Sequence, residues 1–238
     1  MSTTPRFSRV LLKLSGEALA GAKGHGIDST ILSTMAREIA SVVRSGIQVA
    51  VVIGGGNLIR GVQASAGGMN RAAGDSMGML GTVMNCIAMQ DALDKENCPS
   101  VVMTGVRMEP IAEFFDRRKA LSLLSSGSVV LFGAGTGNPF FTTDTAAALR
   151  AIETECQAIM KATKVDGIYT ADPKKDSTAT RFTTISYKEI LQRGLAVMDT
   201  AATALCQEHA MPILVFEMIE GNLTRSLTDT SVGTLVTC

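Results

Sequence analysis

The sequence predicts an α/β fold: a three-layer α/β/α sandwich on a mainly parallel central sheet. Three observations carry this. Short, nearly all-apolar runs such as 47–53 and 129–132 have the length and composition of strands buried on both faces. Segments between them show the 3.6-residue period of amphipathic helices. The two kinds alternate along the chain, and repeated βα order calls for parallel strands with helices on both faces. No Pro/Gly/Ser-rich linker, internal repeat or low-complexity tract interrupts the order, so residues 1-238 read as a single domain.

Val10-Leu11-Leu12 opens the first strand, which ends near Ser15. Asp28 is placed to cap a helix running to about Ser45, with Gly46 just past its end. Ile31, Leu32, Met35, Ile39, Val42 and Val43 mark its buried face. Residues 47–53 form the second strand, and a long helix is expected over 75–93. Further strands are expected at 101–103, 129–132, 158–161 and 213–216. Helices are expected at 113–124, 144–152, 187–191 and 200–209.

Composition narrows the function. A hydrophobic fraction of 46% supplies a sizeable core. Basic and acidic residues balance at 22 each, so no electrostatic footprint for nucleic acid appears. No apolar run approaches the roughly 18 residues of a membrane span. Residues 1–7 are polar and lack a signal-peptide core. Five cysteines with no CxxC pair read as reduced thiols, and a cytoplasmic location is expected. With only two histidines, imidazole triads and His-rich metal sites are poor candidates, which leaves Lys, Arg, Asp and backbone amides to carry the chemistry.

Lys13-Leu14-Ser15-Gly16-Glu17 closes the first strand. A lysine there, beside a glycine turn, can reach a phosphate as a compact charge; it reads equally as a surface lysine before a loop. Ile53-Gly54-Gly55-Gly56-Asn57 ends the second strand, with Arg60 one turn on. Consecutive glycines let a ligand approach the backbone, and Arg60 can grip phosphate oxygens; the plainer reading is a flexible loop. Neither turn is a P-loop or a GxGxxG fingerprint. The run Gly135-Thr136-Gly137-Asn138-Pro139-Phe140-Phe141-Thr142-Thr143-Asp144 is a third turn, between a strand and a helix start, and aims backbone N–H groups at an anion. Phe140 and Phe141 are either a ligand wall or core packing.

Asp75 reads as a helix N-cap or a ligand contact, and Asp144 and Asp199 as helix caps; Asp144 can also organise lysines or hold Mg2+ through water. In the segment Lys161-Ala162-Thr163-Lys164-Val165-Asp166-Gly167-Ile168-Tyr169-Thr170-Ala171-Asp172-Pro173, Asp166-Gly167 signals a hairpin turn. Tyr169 can lie against a purine face, Thr163 and Asp172 can bond its edge or ribose, and Lys161 can reach a transferring phosphate.

Together these segments resemble the bacterial uridylate (UMP) kinases of the amino acid kinase superfamily. The likeness covers nearly the whole chain. It rests on the 13–17 and 53–57 turns, Gly68-Met69-Asn70-Arg71, and most specifically the 135–144 run followed by 161–173. The resemblance implies the amino acid kinase fold and transfer of the ATP γ-phosphoryl to UMP in pyrimidine nucleotide biosynthesis, with Mg2+ carried on ATP. It implies that Lys13, Leu14, Ser15, Gly16, Gly56, Arg60, Thr163, Tyr169 and Asp172 serve ATP. Gly55, Asp75 and the stretch Thr136, Gly137, Asn138, Pro139, Phe140, Phe141, Thr142, Thr143 would serve UMP. Lys13, Lys161, Arg60 and Asp144 would carry the chemistry. A homohexamer, activation by GTP and inhibition by UTP also follow from the family, with Gly21, Ala22, Lys23, Gly24, His25 and Gly26 matching a GTP-linked loop. The resemblance also places basic residues of GTP-responsive relatives at positions that here hold Asp94, Val101 and Ser128. The rival readings are an amino-acid or carbamate kinase of the same superfamily, and a non-catalytic nucleotide-binding or storage protein.

Overall fold

The computed structural model describes residues 4–59, 68–173 and 175–238. Strands β1 (Arg9–Leu14), β2 (Gln48–Ile53), β3 (Ser100–Thr104), β4 (Glu113–Phe114), β5 (Val129–Gly133), β6 (Ala158–Thr163), β7 (Thr184–Ser186), β8 (Ile213–Glu217) and β9 (Thr234–Thr237) form one sheet. Its order is β4-β3-β5-β2-β1-β6-β8-β9-β7. Every described pairing is parallel except β8 with β9. The helices are α1 (Gly16–Leu19), α2 (Ser29–Arg44), α3 (Arg71–Lys95), α4 (Arg117–Ser125), α5 (Thr143–Glu153), α6 (Tyr187–Arg193), α7 (Thr200–Glu208) and α8 (Asn222–Ser226).

The three layers follow from strand alternation. Val10, Leu12 and Leu14 of β1 pack on one face with α2, α3 and α8. Leu11 packs on the other with α4, α5, α6 and α7. Val49, Val51 and Ile53 against Ala50 and Val52 divide β2 the same way. Both faces are covered, so these strands are apolar throughout.

Several expected boundaries move. Asp28 caps α2 as expected, accepting from Thr30 and Ile31 N–H, and Gly46 follows with φ of 89°. Asp75 is not the cap of α3. Asn70 is, accepting from Ala72 and Ala73 N–H, so the helix starts four residues earlier than the acid. Residues 113–114 are edge strand rather than helix. Phe115 N–H donates to Thr104 O, which keeps the chain extended until Asp116 caps α4. The Asp166-Gly167 hairpin does not form. Gly167 lacks a positive φ, and a Cβ there would lie 2.5 Å from Thr234 Oγ1 and 2.8 Å from Arg181 Cδ. That glycine serves close approach, not a turn.

Parallel pairing puts the C-terminal ends of β1, β2, β5, β6 and β8 along one edge, where ligands bind in open α/β sheets. The glycine-rich segments leave the sheet there.

Candidate functional site

Two cavities lie along this edge. The first, about 730 Å³, is walled by Lys13, Ser15, Lys161 and Thr163 from the ends of β1 and β6. Residues of α2 and of the β8–α8 connection close its far side, with Ile31, Met35 and Met218 among them. The second, about 480 Å³, is walled by Gly55, Gly56, Asp75, Thr136, Asn138, Phe141, Thr142 and Thr143. Glu17 lines both, so the two adjoin at the end of β1.

The charged centre follows from register. Lys13 and Lys161 are directly paired residues of β1 and β6. Two ammonium groups so placed repel unless a counter-ion lies between them. Asp144, in the first turn of α5, supplies it: Oδ1 is 2.7 Å from Lys13 Nζ and Oδ2 is 2.8 Å from Lys161 Nζ. These side chains are only 12–14% exposed, so the pairs are little screened. Burial pushes the Asp144 carboxyl up, but the two lysines together outweigh it and hold its pKa below the usual range. Burial, aided by repulsion from Lys13, pushes the Lys161 ammonium down, against the pull of Asp144. Lys161 also donates to Val197 O. Asp144 is not a cap, since Thr142 accepts from its N–H and from that of Thr145. With both carboxylate oxygens on lysines, Asp144 organises the cations.

Gly54 and Gly55 are required by space rather than by dihedral angle. A Cβ on Gly55 would sit 2.6 Å from Gly78 O and 3.1 Å from Thr82 N of α3. One on Gly16 would strike Gly54 O and lie 2.6 Å from Asn57 Oδ1. The two turns are therefore in mutual contact. Arg60 lies outside the described residues.

The 135–144 turn is strained and pinned. Ala134 and Phe140 take positive φ, 59° and 72°, which L side chains rarely adopt. Asp75 Oδ2 accepts Phe140 N–H at 2.8 Å, while Arg71 Nε holds the same carboxylate at 2.8 and 2.9 Å. Thr82 Oγ1 accepts Ala134 N–H at 2.8 Å. Phe141, 52% exposed, lines the second cavity, and Phe140 is 65% exposed, so neither is core. Gly137, Pro139 and Phe140 do not line that cavity; Gly137 packs against Gly105.

Thr163 lines the first cavity and donates to Val165 O at 2.6 Å. Tyr169 and Asp172 do not line either cavity; the Tyr169 hydroxyl donates to Asp166 Oδ1 at 2.7 Å. Leu14 is buried in the core, so only its backbone faces the edge. The 21–26 segment holds one 3-10 turn, with Ala22, Lys23, Gly24 and His25 exposed. Gly26 N–H docks on Asn57 O at 2.9 Å.

Asp199 caps α7 through Ala202 N–H, as expected, and also accepts from Thr142 and Thr145, tying the start of α5 to α7. Sequence reasoning missed that tie and the roles of Thr82, Asn57 and Asn85. Thr82 fixes Ala134. Asn57 and Asn85 form a buried amide pair beneath the triple glycine. A polar residue on the buried face of a helix was the available signal for Thr82 and Asn85.

Comparison with known proteins agrees with this fold. The model of the Amino acid kinase family matches residues 8–217. A uridylate kinase of Stutzerimonas stutzeri is 53% identical over 98% of this chain and 94% of its own length. One of Pseudomonas putida is 54% identical with the same coverage. Among solved structures, a UMP kinase from Bacillus anthracis superposes with a TM-score of 0.94 at 38% identity, covering 98% of this chain and 97% of that one. One from Ureaplasma parvum gives 0.92 at 33% identity, with 98% and 100% covered.

Proposed function

The chain belongs to the amino acid kinase family, and we propose that within it this enzyme transfers the γ-phosphoryl group of ATP to UMP, giving UDP and ADP. It is a nucleoside monophosphate kinase of pyrimidine nucleotide biosynthesis. One observation carries the mechanism: two lysines, fixed by one carboxylate, at the wall of a cavity that adjoins a second cavity.

The first cavity takes the donor and the second the acceptor. Lys13 and Lys161 neutralise charge on the phosphoryl group in flight, while backbone N–H groups of the glycine turns orient donor and acceptor phosphates. Phosphoryl transfer of this kind needs position and charge more than a nucleophile on the protein. Phe141 offers an apolar wall to the acceptor base, and Asp75 holds the turn that reads it. Tyr169 and Asp172 serve the adenosine end, as the resemblance implies, from beyond the lining of the first cavity.

ATP brings Mg2+. Among the described residues no group of three His, Cys, Asp or Glu side chains is placed to hold a metal. Asp144 is occupied by lysines, so the residues suit an ion that arrives on the nucleotide. Carried on ATP, it would add positive charge at the phosphates beside Lys13 and Lys161.

The proposal extends to a homohexamer and to GTP and UTP as effectors. Met77, Leu80, Met84 and Ile87 form an exposed stripe along α3 at coiled-coil spacing, which supports self-association. Four cysteines buried as free thiols support a cytoplasmic setting. Among the described residues no helix is long and apolar enough to cross a membrane.

The test is ADP release from ATP–Mg2+ with UMP, CMP, aspartate, glutamate and carbamate as acceptors. The proposal predicts turnover with UMP and clear selectivity over CMP. Equal rates with both nucleotides defeat the base reading, and turnover only with an amino acid or carbamate moves the chain to another activity of the family.

A further inference from the structure

Beneath the triple glycine, two asparagine side chains close a buried network. Asn85 of α3 is fully buried and Asn57 is 3% exposed. Asn85 Nδ2 donates to Gly54 O at 2.7 Å and to Asn57 Oδ1 at 2.7 Å. Asn57 Nδ2 donates to Gly26 O at 2.8 Å and to Asn85 Oδ1 at 3.0 Å. Carbonyl oxygens only accept, so Gly54 O and Gly26 O fix which way each amide faces. All four side-chain N–H donors and both Oδ1 acceptors are then used. A fully satisfied buried network is rigid, and removing one member strands the others.

Its partners span the site. Gly54 O is the atom that the missing Cβ of Gly16 would strike, so the network bears on the contact between the donor-side and acceptor-side turns. Gly54 N–H also bonds Leu14 O at 2.9 Å, beside Gly16. Gly26, held by Asn57 through both its N–H and its C=O, brings in the otherwise exposed 21–26 segment.

We propose that Asn85, acting through Asn57 and Gly54, is a positioning residue that sets the two phosphate turns against each other and locks the 24–26 segment to them. Neither asparagine lines either cavity. Their effect is on alignment: the acceptor phosphate must lie in line with the γ-phosphoryl, and a displacement of about 1 Å costs on the order of 100-fold in rate.

The experiment uses full-length wild type, Asn85→Leu and Asn85→Ser. Leucine keeps the volume and removes every polar contact; serine is a milder change that keeps one donor. Hydrogen exchange is followed by peptide, alongside steady-state kinetics with ATP–Mg2+ and UMP. The expected result is faster exchange in 53–59 and 24–28 together, with α2 and β5 unchanged. With it, kcat falls about 10- to 100-fold while both KM values move less than about threefold. Exchange unchanged in either segment, exchange raised across the whole molecule, or a loss confined to KM overturns the proposal. If neither variant folds, the side-chain amide protons of Asn57 and Asn85 in wild type decide: slow exchange with solvent supports the network, and fast exchange refutes it. The inference rests on the phosphotransferase reading, whose own failure shows differently, as wild type that releases no ADP with UMP. The exchange readout needs no turnover.

Discussion

Replacing Asp144 by Asn keeps the shape of the side chain and deletes the charge that holds Lys13 and Lys161 together. Each contact, at 2.7 and 2.8 Å, is worth roughly 6 kcal/mol at an effective dielectric of about 20, before the cost of burial. Desolvation cancels much of that, so the net loss on breaking the pairs is about 3–5 kcal/mol, because two ammonium groups are left partly buried without a counter-ion. Urea unfolding of the ligand-free variant reads this directly. The pH dependence has a definite sign. The Asp144 pKa is depressed in the fold, so its contribution is present above the ordinary carboxylate pKa of about 4 and disappears as pH falls through the depressed value. Lys161 must be charged to act, and its pKa is already lowered by burial, so activity falls on the alkaline side below the ordinary lysine pKa. Asp144 raises that pKa, so Asp144→Asn shifts the alkaline limb of kcat to still lower pH. The uncompensated ammonium groups also attract phosphate, so ATP–Mg2+ raises the Tm of the variant more than that of wild type. An alkaline limb that stays in place or moves to higher pH refutes the electrostatic role given to Asp144.

Three further outcomes follow from the same geometry. Lys161→Ala lowers kcat by about 100-fold or more with the fold retained, as loss of one preorganised donor to a developing charge does; near-normal turnover with unchanged circular dichroism removes Lys161 from the mechanism. Gly55→Ala forces a Cβ to within 2.6 Å of Gly78 O, so α3 must retreat, with a stability loss of about 1–3 kcal/mol in thermal unfolding and weaker UMP binding by calorimetry. Phe141→Ala raises KM for UMP while Phe140→Ala does not, since only Phe141 lines the acceptor cavity; equal effects from steady-state kinetics discard that distinction.

Much of the architecture was legible because burial wrote it into the chain. Strands covered on both faces read as short apolar runs, and α2 showed its period and both of its ends. What escaped notice was short or decided by distant partners. The three-residue β7 carries too few positions for a period, and residues 113–114 joined the sheet beside Met103 and Thr104, with Phe115 N–H on Thr104 O. Asp75 sat where a cap was plausible, yet Asn70 won that place, and the acid became the anchor of Phe140 N–H, 65 residues away. Lys13 and Lys161 were each identifiable at a strand end. That they form one centre depends on β1–β6 register and on Asp144, which no local pattern reveals. Asn57 was silent for the same reason.

The central claim is direct transfer between two adjoining cavities, with lysines supplying charge and no protein nucleophile intervening. ATP made chiral at the γ-phosphorus, with UMP as acceptor, tests it in one measurement. A single in-line displacement inverts configuration in the UDP formed, and that is the result the structure predicts. Retention would mean two displacements through a phosphorylated side chain, and would contradict the account.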